Sequence, residues 1–263
     1  MKKPKGDYAI QTVVNAMRLL EAFRDEEELG VTELSRRLSL HKNNVFRLLA
    51  TLEQQGYIEQ SAASDRYRLG VESLELGQAF LRGRTLLRRA RPVLETLAKQ
   101  LEETVHLATL RDFDVVHLDG ALGEQLVMTG LRVGRRLPLH CTALGKVLLA
   151  GSPEDVREAY DRTTTEAGGL VARTSSTIAD RDKFFEHVRT VAGAGFALDL
   201  EECDPGLACA AAPVHDANGR LIAAVSVSGP AFRLTEERLL RGVVPAVIGA
   251  ADTLSRELGH TAA

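Results

Sequence analysis

Two sets of residues in this chain have side chains suited to chemistry or recognition. The first is the run His41-Lys42-Asn43-Asn44, with Arg47 three residues on. Arg and Lys donate to guanine and Asn pairs bidentately with adenine, so the run holds the groups that read base edges. The second set is scattered: His140-Cys141-Thr142, Asp199, Cys209, and Ser226 with Ser228. A cysteine near a histidine and a carboxylate allows a nucleophile, base and orienter reading. Cys141, Cys209 and His140 also allow a metal- or oxidant-sensing reading. Against both, the chain has no nucleophile elbow, HExxH or phosphate loop. Its cysteine spacing matches no zinc pattern, and a small buried cysteine beside a histidine is ordinary core. No catalytic residue, metal ligand or cofactor is therefore expected. Binding fits better. Ser226 and Ser228 alternate along a strand, so both hydroxyls point one way, and Leu207 and Cys209 do the same nearby. A helix opening near Thr142 offers N–H groups and a positive dipole end, which suit a carboxylate. A small anionic metabolite is the expected ligand.

The composition bounds these readings. A length of 263 residues fits two modest domains. Apolar content of 44% and charged content of 26% are those of an ordinary globular protein. Aromatics at 5%, with no Trp, argue against a site of stacked rings. The net charge of −3 excludes a generally basic nucleic-acid coat, so DNA binding must rest on local charge. Residues 31–52 supply it: Arg36, Arg37, Lys42 and Arg47 face a single acid, Glu33. Cys141, Cys203 and Cys209, without a CxxC, suit a reducing cytoplasm rather than a disulfide framework. The lysine-bearing start has no apolar core for a secretion signal. No apolar run approaches a membrane span. A cytoplasmic location is expected.

These residues need elements to position them. Residues 1–8 are polar and expected to be disordered. A helix follows with Val13, Met17, Leu20 and Phe23 on one face. Residues 31–39 form a short helix capped by Thr32, with Leu34 and Leu38 inward. Ser39-Leu40-His41 turns into a second helix, 42–55, which buries Val45, Leu48, Leu49 and Leu52 and stops at Gly56. Small Ser35, the turn at Ser39 and apolar Val45 and Leu48 suit a helix-turn-helix, although Ser39 stands where Gly is favoured. Strands at 57–60 and 66–69 make a hairpin wing, on which Arg66 and Arg68 suit phosphate or minor-groove contact. A helix over 71–91 carries Arg82, Arg84, Arg88, Arg89 and Arg91, read as a solvated, partner-facing surface rather than a phosphate-contacting linker. Pro92 should break it and open the next helix, over 92–103. Beyond 104 the pattern is mixed. Strands are expected at 105–110, 113–118, 125–129, 195–199, 207–214 and 221–228, the last two joined by the hairpin turn Asp216-Ala217-Asn218-Gly219. Helices are expected at 142–150, from 154, at 180–192 and at 235–257.

At this point the chain resembles the IclR family of transcription regulators, over about residues 9–257. The N-terminal VTELSRRLSLHKNNVFRLLATLEQQGYIEQ and the YRLG after it look like that family's winged helix-turn-helix. LPLHCTALGKVLLA at 137–150, GFALDLEECDPGLACAAAPVHDANG at 195–219 and AAVSVSGPAFR at 223–233 look like its C-terminal domain. The resemblance implies an α+β chain in three parts: a winged helix-turn-helix over 1–70, a linker helix over 71–91, and a GAF-like domain over 92–263, an antiparallel sheet flanked by helices. It implies an operator in double-stranded DNA, a small organic acid effector, and a homodimer or dimer of dimers. Thr32, Arg36, His41, Lys42, Asn43, Asn44, Arg47, Arg66 and Arg68 are then the DNA-binding candidates. Leu126, Leu137, Cys141, Thr142, Ala143, Leu144, Asp199, Leu207, Cys209, Ser226 and Ser228 are the effector-binding candidates.

Overall fold

The computed structural model describes residues 9–83 and 85–261. The disorder expected of residues 1–8, Arg84, and the side chain of Arg82 lie outside them. The chain divides into two compact units, the first ending at Arg84 and the second starting at Thr85.

The first unit holds α1 (Gln11–Glu21), α2 (Val31–Leu38), α3 (Lys42–Gln54), β1 (Ile58–Gln60), β2 (Tyr67–Leu69) and α4 (Val71–Arg82). Its core joins Leu19 and Phe23 to Leu34, Leu38, Val45, Leu49, Ile58 and Tyr67. The expected face of α1 is corrected: Val13 and Met17 are exposed, and Leu19 is buried instead. The helix carries two apolar stripes, and packing against α2 and α3 selects the one through Leu19. The cap of α2 is corrected too. Gly30 is the N-cap, its N–H donates to Glu33 Oε2 at 3.1 Å, and Thr32 lies inside the first turn. Ser39 closes α2 in the left-handed region, at φ 55°. Ser35 Oγ donates to the Leu40 carbonyl at 2.6 Å, which fixes the turn. β1 and β2 form the wing, with Glu59 opposite Arg68.

The second unit starts with α5 (Thr85–Leu101), and the break expected at Pro92 is absent, because Pro92 lies inside this helix. Leu87, Ala90, Val93, Leu94 and Leu97 are buried on one continuous stripe across it. That burial outweighs the one backbone bond that proline removes. The chain breaks instead at Gly83, the C-cap of α4, so the single helix expected over 71–91 is two helices. Then come β3 (Thr104–Arg111), β4 (Asp114–Ala121), β5 (Arg136–Pro138), α6 (Ala143–Ala150), α7 (Glu154–Glu166), α8 (Arg181–Ala194), β6 (Ala197–Leu200), β7 (Leu207–His215) and β8 (Leu221–Pro230). The chain ends in α9 (Glu236–Arg238), a π-helical turn (Leu239–Val243) and α10 (Val244–Glu257).

The strands form one antiparallel sheet in the order β5-β4-β3-β8-β7-β6. α5 and α10 pack together on one face, and α6 and α8 on the other. The strand expected at 125–129 is not formed. β3 is already paired on both sides, and the outer edge of β4 is taken by β5, so the strands next to this segment in the chain have no free edge for it. The register shifts between Leu107 and Ala108, where Leu107 faces Asp119 but Ala108 faces His117. This bulge adds one residue, Leu118, to β4. His117 and Asp119 would share a face on a regular strand. The bulge separates them: Asp119 pairs with Arg91 of α5 at 2.7 Å, and His117 turns to the other face.

Candidate functional site

In the first unit, α3 buries Val45, Leu48 and Leu49 and leaves the rest of its surface to solvent. His41, Lys42, Asn43, Asn44 and Arg47 are exposed, as are Thr32 and Arg36 of α2. Asn43, Phe46, Arg47 and Ala50 follow helical spacing and share one outward face. Phe46 is absent from the sequence candidates. Its 56% exposure is the signal, since a large apolar ring held in solvent on this face suits a thymine methyl. Arg36, Lys42 and Arg47 have no carboxylate partner among the described residues. The wing arginines do. Arg66 binds Glu33 at 2.6 Å and the Glu28 carbonyl at 2.9 Å, tying the wing to the start of α2. Arg68 bridges to Glu59 at 2.5 Å.

The second unit holds a small pocket of about 30 Å3 between the sheet and the start of α6. The register builds its floor. Asp199, Cys209, Ser228 and Thr104 lie in one row across β6, β7, β8 and β3. Ala197, Ala211, Ser226 and His106 lie in the next. Small side chains in the middle of these rows leave the hollow. Thr142, Ala143 and Leu144 close it from above, with Leu137 and Leu207 at the sides. Thr142 caps α6, its Oγ1 accepting from Gly145 N at 3.0 Å. Gly145 brings the helix start close: a Cβ there would lie 2.2 Å from the Leu139 carbonyl oxygen.

Nine of the eleven effector candidates meet around this pocket. Leu126 does not, being 99% exposed on the irregular segment that was expected to be a strand. Cys141 is fully buried and does not line the pocket. Its hydrogen bond with Cys203, followed by burial, pushes its thiol up, away from the reactive thiolate. The structure adds His106, His117, Arg132 and Cys203 to the lining.

The electrostatics are set by burial. Desolvation, helped by each ring's neighbours, pushes His106 down to about 3 and His117 down to about 4, so both rings are neutral. Burial pushes Asp199 up to about 7, although N–H groups of Glu202 (2.8 Å) and Cys203 (3.4 Å) donate to its Oδ1. Burial raises the Cys209 thiol as well. Further along α6, Lys146 is fully buried and forms an ion pair with Glu202. At the rim Arg132 binds Asp204 at 3.0 Å. The pocket thus joins two neutral imidazoles and two serine hydroxyls to one cation, one helix start and a carboxyl that titrates near neutrality, which suits binding rather than turnover. Among the described residues, no three His, Cys, Asp or Glu side chains group as metal ligands.

Comparison with known proteins decides the family. Residues 12–62 match the IclR helix-turn-helix domain, and residues 78–256 match the bacterial transcriptional regulator IclR C-terminal domain. The chain belongs to the IclR family. It is a DNA-binding transcription regulator, and the family is one of regulators rather than enzymes. It is 33% identical to the HTH-type transcriptional regulator KdgR of Escherichia coli (strain K12), over 96% of this chain and 94% of that one. It is 36% identical to the glycerol operon regulatory protein of Streptomyces coelicolor, over 95% and 97%. Among solved structures it is similar to an IclR homolog from Microbacterium hydrocarbonoxydans complexed with 4-hydroxybenzoate. That match has TM-score 0.80 and 25% identity, and covers 94% of this chain and 98% of that one. No helix among the described residues is long and apolar enough to cross a membrane.

Proposed function

We propose that a small organic acid, bound in the pocket under α6, controls the operator affinity of this IclR-family regulator. The observation that carries the reading is the pocket itself: a small hollow lined by buried polar groups from β3, β4, β6, β7 and β8. The 4-hydroxybenzoate held by the Microbacterium homolog supports an acid. Asn43, Arg47 and Lys42, with Phe46 beside them, are the base-reading residues, and Arg36 contacts phosphate. Thr32, His41 and Asn44 border this face. Arg66 and Arg68 act through the wing, their charges shared with Glu33 and Glu59. The chain works in the cytoplasm as a homodimer, alone or as a dimer of dimers, presenting two recognition helices to two half-sites. Exposed Val13, Met17, Leu74 and Leu76 give the N-terminal unit an apolar surface for a second copy.

The test is operator binding by gel shift on DNA flanking the gene, at fixed salt, with and without a panel of small organic acids. A complex that one acid weakens or strengthens supports the proposal, and a complex indifferent to all of them overturns the gating. Asn43→Ala and Arg47→Ala should each cost about 1–3 kcal/mol of specific binding. Both side chains are exposed, so thermal midpoints should stay unchanged. Full operator affinity in both variants would place the reading surface elsewhere.

A further inference from the structure

His106 and His117 stand on neighbouring strands, with ring centroids 5.2 Å apart and planes at 87°. Both line the pocket, and they are 2% and 3% exposed. His106 Nε2 and His117 Nδ1 are buried and have no hydrogen bond of good geometry among the described residues, although the backbone of Gly130 and of Arg135 lies close to the two rings. Native structures pair almost all such atoms, so two in one pocket need a reason. The rest of His106 is held: its Nδ1 lies 3.4 Å from Ser228 Oγ, which is 3.0 Å from Thr129 Oγ1. His117 is held by the bulge at Leu118, which turns it from the α5 face into the pocket. The chain thus spends an irregularity in its sheet to bring a second imidazole beside the first.

We propose that the effector is a small hydroxy acid, with a hydroxyl placed between His106 Nε2 and His117 Nδ1 and its carboxylate toward Arg132 and the start of α6. A neutral imidazole offers one N–H and one lone pair. A hydroxyl both donates and accepts, so it can donate to the lone pair of one ring while accepting from the N–H of the other. A carboxylate only accepts, and it would meet a lone pair in one tautomer of each ring. A methylene would bury both nitrogens without a partner. Both rings stay neutral, so they do not themselves attract an anion. The cation of the lining is Arg132, which enters from the 122–135 segment. This inference rests on the reading of the pocket as the effector site and names the two residues that set its selectivity.

The experiment is calorimetric titration of the full chain with matched small acids: lactate and glycerate, each against propionate, with glycerol as the hydroxylated compound lacking a carboxylate. At least one hydroxy acid should bind at least ~10-fold more tightly than its deoxy partner and than glycerol. His106→Leu and His117→Leu should each bring the two members of that pair to equal affinity. His106→Gln and His117→Asn, which keep a polar atom near the position of the unpartnered nitrogen, should retain part of the preference and serve where a Leu variant fails to fold. Equal or tighter binding of the deoxy acids overturns the inference. A preference unchanged in the histidine variants overturns it as well. Binding of none of the acids, with operator binding intact, overturns instead the reading of the pocket as an acid-binding effector site.

Discussion

His106, His117 and Asp199 share one pocket, but burial drives their protonation in ways that pull stability in opposite directions with pH. The two histidines refuse protons in the fold that the unfolded chain accepts, because their folded values, about 3 and about 4, lie below the ordinary 6.5. Their contribution to stability is complete above pH 6.5 and is lost as pH falls toward 3. Asp199 is raised from 3.8 to about 7, so its contribution is complete below 3.8 and is lost as pH rises through 7. Asp199→Asn removes that titration while keeping an acceptor for the Glu202 N–H. The variant should therefore gain thermal stability relative to the parent between pH 5 and pH 8.5. Parallel melting curves across that range would mean that Asp199 is not desolvated as described. These groups also mark what the sequence conceals at this scale. His106 sits in an alternating strand pattern that is ordinary for core. His117 enters the pocket only because of the bulge, which no residue type announces. Arg132 comes from an irregular segment. The serines and Cys209 were legible because strand alternation is a simple rule, and Asp199 came with the family resemblance.

Among the elements, the turn between α2 and α3 shows how a motif tolerates a poor residue. Ser39 holds φ 55° and ψ 41° with a Cβ that this conformation penalises. The Ser35 Oγ to Leu40 bond and the buried contacts of Leu38 and Val45 keep it there. Ser39→Gly should stabilise the N-terminal unit by roughly 1 kcal/mol, read as a higher urea midpoint with operator affinity unchanged. A lower midpoint would show that the Ser39 side chain contributes a contact that outweighs the strain. The helix-turn-helix was readable because caps, turn and buried positions follow local rules. The misreadings share another cause. α1 offers two stripes, and only α2 and α3 choose between them. Pro92 breaks helices in isolation, but here a buried stripe runs through it. The 125–129 segment has strand-like residues, but β3 and β4 beside it in the chain are already paired on both sides. In each case tertiary packing decided what local preference left open.

For the whole molecule, family membership follows from segments that span both units, but it does not choose the effector, because folds host many ligands and specificity lives in the site. The proposed regulation makes a stricter demand. If an effector changes operator affinity by some factor, operator DNA must change effector affinity by the same factor. Couplings of this kind are typically about 5–150-fold. The chain is net negative while its recognition surface is basic, so operator affinity will fall steeply with salt, and both legs of the cycle must be measured at one ionic strength. The effector identified by gel shift should therefore be titrated calorimetrically into the free protein and into the operator complex. The ratio of the two effector affinities should equal the ratio of operator affinities with and without effector. Equal effector affinity for both forms would mean that the pocket does not communicate with the recognition helix. The shift in the gel would then have to come from the acid acting at another place, such as the DNA-binding surface itself. Asn43 and Arg47 variants separate those cases: if the pocket is the site, they weaken operator binding but leave effector affinity for the free protein unchanged.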